Sequence, residues 1–221
     1  MIIPLNRQGD KFIDYTAKSP GQIINNTAQA TDNKWITVAL PASQAEVRMQ
    51  AGKVVLFKLT GEKTVTDAQI AGTIIPQSGC NIVPLSVFIA RHKELSARIA
   101  KNEIGVWLDT HEVIADLTAS LPDLNALPII AVHVERFADG RIFSLGTLLR
   151  TRYGFKNELR AFGDVLRDQL FFLKRAGFSS FLIRADRNAE EAITSLNDFS
   201  QPYQGAVDEP RPVFVRYNRG A

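Results

Sequence analysis

From Pro84 onward the apolar residues fall into a helical period. Leu85, Phe88, Ile89, His92, Leu95 and Ile99 recur every three or four positions, which predicts a helix over about 85–100. His92 sits on that stripe and reads as an interior or boundary histidine rather than a ligand. A regular alternation follows. Runs at 104–109, 129–135, 158–163 and 178–184 read as strands, each followed by a helical pattern at about 110–121, 144–153, 164–176 and 188–199. Four consecutive βα units imply a parallel sheet with right-handed crossovers. The expected caps agree: Asp109 with Glu112 as a capping box, Ser144 and Asp164 at N-caps, and Gly154 and Gly177 at C-caps.

Residues 1–80 carry a different pattern. Short β-rich runs at 34–40 and 53–59 alternate with turn-prone stretches such as Ser19-Pro20-Gly21. Leu59-Thr60-Gly61-Glu62-Lys63-Thr64 lacks the Gly-Lys-Ser/Thr ending of a phosphate loop and reads as a hairpin turn. The chain therefore divides into a β-rich N-terminal region, 1–80, and a βα-repeat domain, 81–221. The tail after Phe199, rich in Pro and Gly, is expected to lie extended on the body.

Crossovers of one hand between neighbouring strands put every helix on one side of the sheet. Strand side chains alternate between faces, and one set is wholly apolar: Ile104, Val106, Leu108; Ile130, Val132, Val134; Leu159, Ala161; Phe181, Ile183. That set packs under the helices. The other set carries Trp107, Asp109, His133, Glu135, Glu158, Arg160, Phe162, Ser180 and Arg184. Such a face needs a cover, from barrel closure, the N-terminal region or another subunit. A partial, barrel-like parallel sheet is the expected architecture.

Ligands bind at C-terminal strand ends in barrels and open α/β sheets. The charges on the second face are expected to gather there, with Asp109, Glu135, Arg160 and Arg184 converging. On a functional reading the arginines hold a small oxyanion while Asp109, Glu135 or His133 handles protons. On a structural reading the same groups form a charge-paired network, with Asp109 serving as a helix cap. Asp109, His111, His133 and Glu135 are acceptable metal-ligand types, but their spacing matches no metal motif, so no metal is assigned.

Charge and composition narrow the rest. The 221 residues carry a formal net charge of +3, and the excess concentrates at 132–184, with ten Lys/Arg against five Asp/Glu. A basic segment attracts anions or an acidic partner. No nucleic-acid motif accompanies it. The start, Met1 to Arg7, lacks the pattern of a signal peptide, and no apolar run reaches the ~18 residues of a membrane span. The one cysteine, Cys80, can form no internal disulfide and no four-cysteine cluster site, and it reads as a structural thiol. The expected location is the cytoplasm, with no membrane and no nucleic-acid partner.

The most distinctive stretch runs from Phe137-Ala138-Asp139-Gly140-Arg141-Ile142-Phe143-Ser144 through Tyr153-Gly154-Phe155 and Glu158-Leu159-Arg160-Ala161. It continues through Gly163-Asp164-Val165-Leu166 and Asp168-Gln169-Leu170 to Phe172-Leu173-Lys174-Arg175-Ala176-Gly177-Phe178. It closely resembles the bacterial domain of unknown function 934 family, with weaker likeness from about Ile82 to Pro210. Ile142 and Asn157 replace usual glycines, and residues 1–80 exceed the family's short leader. The resemblance implies an oxidoreductase-like or accessory protein of assimilatory sulfite reduction, since the family's genes commonly neighbour that of sulfite reductase. No Gly-x-Gly-x-x-Gly follows any strand, so no dinucleotide site is supported. The cofactor is unknown, and any electrons pass through an unidentified cofactor or a partner.

Two functions follow. One is a ligand-handling protein of sulfur assimilation, whether or not an enzyme, in which Arg141, Arg160, Arg184 and the amide of Gln169 surround a small oxyanion. The other is a non-catalytic module that docks on or regulates sulfite reductase, or on a second copy of itself. For the second, Val165, Leu166, Leu170, Phe172, Leu173 and Ala176 form the expected core arc of the 164–176 helix. Phe171 then falls outside it, among Arg167, Lys174 and Arg175, with the make-up of an interface anchor. Covering of Phe171 by the tail after Phe199 is the alternative.

Overall fold

The computed structural model describes residues 11–14, 29–41, 65–184 and 186–216. The expected run at 53–59, the turns at 19–21 and 59–64, and the leader lie outside them. Eight strands form one sheet: β1 Lys11–Asp14, β2 Gln29–Asp32, β3 Trp35–Thr37, β4 Cys80–Pro84, β5 Ile104–Asp109, β6 Ile129–Val134, β7 Glu158–Gly163 and β8 Ser180–Leu182. The helices are α1 Asp67–Gly72, α2 Leu85–Ile99, α3 Ile114–Ser120, α4 Arg141–Thr151, α5 Leu170–Arg175, α6 Ala189–Ala192 and α7 Val213–Arg216.

Strands β3 to β8 pair in parallel and in sequence order, and they curl into a half-barrel. The four expected βα strands are parallel neighbours. The remaining arc belongs to the N-terminal region: β1 pairs antiparallel with both β8 and β2. β2 therefore runs in the same direction as β3, and only Asn33 and Lys34 separate them. The two edges of the sheet are successive stretches of one segment. Following the register from Gln29 through Asp14, Ser180, Arg160, Ala131 and Trp107 to Pro84, and extending the β3–β4 pairing two residues past Thr37 and Ile82, returns to that segment at position 39, ten residues beyond position 29. A stagger of this kind is what tilted strands need to close a barrel.

The two faces separate as the alternation requires. Every residue of the apolar set packs in the outer core with Phe88, Leu117, Leu149 and Leu173 of the helices. The inner face holds a second cluster of Trp35, Ile82, Trp107, Ile129, Ala131, Phe162 and Leu182, with Cys80 against it. Segment 29–41 supplies the cover this face needs. The Trp107 indole reaches across β4 and donates from Nε1 to the Val38 carbonyl at 2.9 Å, while the Val38 amide bonds Ile82 at 2.8 Å.

Below that apolar layer lies Arg160, whose side chain is only 1% exposed. It occupies the third position of β7, and its guanidinium turns toward the N-terminal strand ends. Nε and Nη2 donate to Glu158 Oε1 at 3.0 and 2.6 Å, Nε reaches Ser180 Oγ at 3.2 Å, and Nη1 donates to Asn33 Oδ1 at 2.8 Å. Ser180 Oγ in turn donates to Glu158 at 2.6 Å. Asn33 Oδ1 also accepts from the Trp35 amide at 3.1 Å, holding the short break between β2 and β3. One buried cation thus ties β7, β8 and the closing segment together.

Several caps differ from expectation. Asp109 and Glu112 close a turn, but α3 begins only at Ile114 with Val113 at its cap. Ser144 lies inside α4, which starts at Arg141. Asp164 spans loops instead of capping α5, which is preceded by a 3-10 turn at Arg167–Gln169. That tighter turn rotates each residue further around the axis and shifts the buried arc by one position. Phe171 is therefore buried and Phe172 exposed, the reverse of the helical-wheel expectation. Phe171 packs on Phe199 with ring centres 4.9 Å apart, so the tail covers it. Gly154 and Gly177 do adopt positive φ, 63° and 100°, past their helices.

Removing the carboxylate that faces Arg160 leaves a buried cation short of its counter-charge. Glu158→Ala is expected to cost about 3 kcal/mol in urea denaturation, and Glu158→Leu combined with Arg160→Met to recover most of it. A Glu158→Ala loss under about 1 kcal/mol would show that the pair is not the interior tie.

Candidate functional site

The C-terminal strand ends carry a cluster assembled from β5, β6 and the loop after β5. Asp109 ends β5 and His133 lies opposite it on β6. Asp109 Oδ2 is 3.7 Å from His133 Nδ1, and Oδ1 is 3.8 Å from His111 Nδ1. Both distances are beyond hydrogen-bond length, and His133 Nδ1 is buried with no hydrogen-bond partner among the described residues. The Thr110 amide donates to Asp109 Oδ1 at 2.9 Å, and the Asp109 amide donates to Glu112 Oε2 at 2.7 Å.

An aromatic floor lies beneath. The His133 ring is 5.0 Å from Phe162 and 5.7 Å from Trp107, and these two meet edge to face at 6.0 Å. Gly163 makes the approach possible. Its φ is +103°, and a Cβ there would lie 2.3 Å from the Val134 carbonyl oxygen and 2.9 Å from the His133 ring.

The two carboxyls respond oppositely to their surroundings. Burial acts to raise Asp109, but the facing His133 imidazole, the charge of His133 and His111 and the Thr110 amide outweigh it, so its pKa is lowered. Burial dominates at Glu112, seconded by the charges of Asp109 and Asp116, and raises it from 4.5 to about 7 despite the Asp109 amide. Near neutral pH the site holds one anionic carboxylate and one carboxyl that exchanges its proton, with two imidazoles beside Asp109. Such a set can take up and release protons.

The loops above are stapled by acids. Asp139 accepts from Thr110 Oγ1 at 2.5 Å and from Arg141 at 2.6 Å, and the Arg141 guanidinium holds its carboxyl down to about 2. Asp164 accepts from the Phe137 amide at 2.9 Å and from Arg184 at 3.0 Å. Gln169 finds the partners its burial demands: it donates to the Phe137 carbonyl at 2.9 Å and accepts from the Leu166 amide at 3.2 Å.

The residues expected to surround an oxyanion do not converge. Arg141 pairs with Asp139, and Arg184 with Asp164 and Asp186, all at the C-terminal edge. Arg160 lies at the opposite end of the interior with Glu158. Its place at mid-strand, with a carboxylate two residues back on the same face, decides this. Glu135 lies beyond the end of β6 and is exposed. No group of three or more His, Cys, Asp or Glu suited to a metal ion occurs among the described residues. Of the residues expected at an interface, Arg167 is exposed, Phe171 and Arg175 are buried, and Lys174 bonds the Leu196 carbonyl at 3.2 Å. Sequence reading missed the Trp107–Phe162 floor as a feature of the site. It read Glu112 only as a capping residue; the turn that replaces the expected helix start brings it to the cluster.

Fold and site together define a βα half-barrel protein with an acid–imidazole cluster at the C-terminal mouth. The chain belongs to the family described as "Bacterial protein of unknown function (DUF934)", whose model matches residues 105–214. Searches of curated proteins and of solved structures return no match. The matched region spans β5 to β8 and their helices, while the closing segment and β4 precede it. No described helix is long and apolar enough to cross a membrane.

Glu112 gives the stability a signature in pH. Its proton is bound more tightly in the folded chain, so its contribution is complete below pH 4.5 and is lost as pH rises through about 7. Asp109 has the opposite sign, contributing above its unfolded value of 3.8 and losing that contribution as pH falls. Glu112→Gln keeps an acceptor for the Asp109 amide and removes the titration. Its stability relative to the unmodified protein is expected to rise between pH 5 and pH 8 in urea denaturation; a constant difference would place Glu112 in solvent.

Proposed function

We propose that this chain is a cytoplasmic protein of assimilatory sulfite reduction that handles protons at the barrel mouth while sulfite reductase supplies the electrons. The observation that carries the reading is the cluster of Asp109, His133, His111 and Glu112 over Trp107 and Phe162, at the strand ends where barrels place their chemistry. Reducing an oxyanion consumes protons as well as electrons, and Glu112 titrates at about pH 7. Arg141 and Arg184 border the same mouth and remain the candidates to meet a small oxyanion, by exchanging a carboxylate partner for it.

A docking role without catalysis is favoured by a separate observation. Phe199, Tyr203, Phe214 and Val215 are more than half exposed, and Tyr203 and Phe214 pack 6.2 Å apart. Exposed aromatics near arginines suit a protein interface, with sulfite reductase or a second copy as the partner.

Sulfide release by sulfite reductase from the same host, measured with and without this protein, tests the first reading. The protein is expected to raise the rate, and Asp109→Asn and His133→Ala to remove at least tenfold of that gain while still binding. Equal rates with and without the protein would overturn the proton-handling role. If binding persists as well, the docking role stands in its place.

A further inference from the structure

A second site lies on the outer face of the barrel, independent of the mouth. An open groove of about 780 Å³ runs between α4, α5 and the C-terminal segment. Its volume is that of a small-molecule site. Phe143, Thr147 and Arg150 lie three and four residues apart and form one wall from a single face of α4. Phe172 and Arg175 form the other wall. The segment around Gln204 to Pro210 closes one end, tied to α5 by the Val207 amide on the Arg175 carbonyl at 3.0 Å and by Arg175 Nη2 on the Gln204 carbonyl.

The charges in this groove are unbalanced. Arg150 donates to the carbonyls of Gly177, Phe155 and Asn157 at 2.7 to 2.9 Å, and it faces no carboxylate among the described residues. Burial pulls it down to about 10. Arg175 is buried, where Arg150 is half-buried, and it too faces no carboxylate among the described residues. Its Nη1 has no acceptor there, and the Phe171 ring lies 5.7 Å away. Every other interior or mouth arginine discussed above, Arg141, Arg160 and Arg184, has its own acid. One buried and one half-buried guanidinium lining the same groove without a counter-ion are costly, and an anion bound in the groove would offset that cost. The walls beside them are apolar, and Phe172 presents a ring that is 52% exposed although it lies within the groove.

We propose that this groove binds an organic anion: a carboxylate or phosphate head at Arg150 and Arg175, with an aromatic or aliphatic body laid on Phe143 and Phe172. A bare inorganic anion would use only half of the site. A neutral apolar molecule would use the other half.

The fluorescent naphthalene sulfonate ANS, an organic anion, is the probe for the full-length protein. Its fluorescence is expected to rise with saturable binding and to be displaced by octanoate or by phenyl phosphate, the stronger competitor identifying the head group. Octanol and inorganic phosphate should each compete at least tenfold more weakly. Phe172→Glu, at an exposed position that leaves the fold unchanged by circular dichroism, should weaken ANS and competitor binding at least tenfold. Arg175→Gln should do the same where it folds, and Phe172→Glu alone decides where it does not. Displacement by octanol as readily as by octanoate, unchanged affinity in Phe172→Glu, or no saturable binding would each overturn the proposal.

Discussion

The guanidinium of Arg160 is the constraint on which the rest of the structure depends. A cation inside a barrel survives only if its donors are met, and three different segments meet them: Glu158 of β7, Ser180 of β8 and Asn33 between β2 and β3. Asn33 is far from Arg160 in sequence, yet this contact brings the first strands against the last. The hairpin β1–β2 then fills the arc that six parallel strands leave open. With its N-terminal end occupied by this ion pair and its middle lined by aromatic and aliphatic side chains, the interior presents Asp109 and His133 at its C-terminal mouth.

Charge placement follows from the same economy of partners. Asp139 and Asp164 each hold an arginine and a neighbouring loop, so Arg141 and Arg184 serve the architecture of the mouth. Glu112, whose carboxyl is raised to about 7, lies in the same cluster as Asp109, His111 and His133. Glu112 owes its raised pKa to burial beside other acids, an environment that exists only because the turn after β5 folds back on its own strand. Arg150 and Arg175, which face no acid among the described residues, lie on the far side of the outer helical layer.

Much of the architecture was legible in the sequence. Period-two apolar runs separated by helical patterns located β5 to β8, and alternation sorted the outer core from the inner face residue by residue. The mouth residues Asp109 and His133 were also visible, because one ends its strand and the other lies next to the end of its strand, both on the polar face. The closing segment was not, since nothing local in Gln29–Thr37 says that its two halves pair with strands at opposite edges of the sheet. The direction of Arg160 was equally hidden. Alternation assigns a face, but a long side chain chooses an end by where its acid lies. Phe171 and Phe172 exchanged roles because three residues of 3-10 turn advance the helical phase before α5 begins. Loop staples such as Thr110 to Asp139 join residues far apart in sequence, a distance no short motif reports.

Closure of the barrel by segment 29–41 is the central claim, and the indole of Trp107 reports on it directly. Its Nε1 proton is bonded to the Val38 carbonyl, beyond the edge of β3. Hydrogen exchange of that proton and of the Val38 amide, followed by NMR, is the measurement. If the segment is a wall of the barrel, both protons exchange only when the whole protein unfolds, at the rate of the β5–β7 amides. Exchange within minutes while those central strands stay protected would show that the segment is a loosely held flap and that the barrel is open.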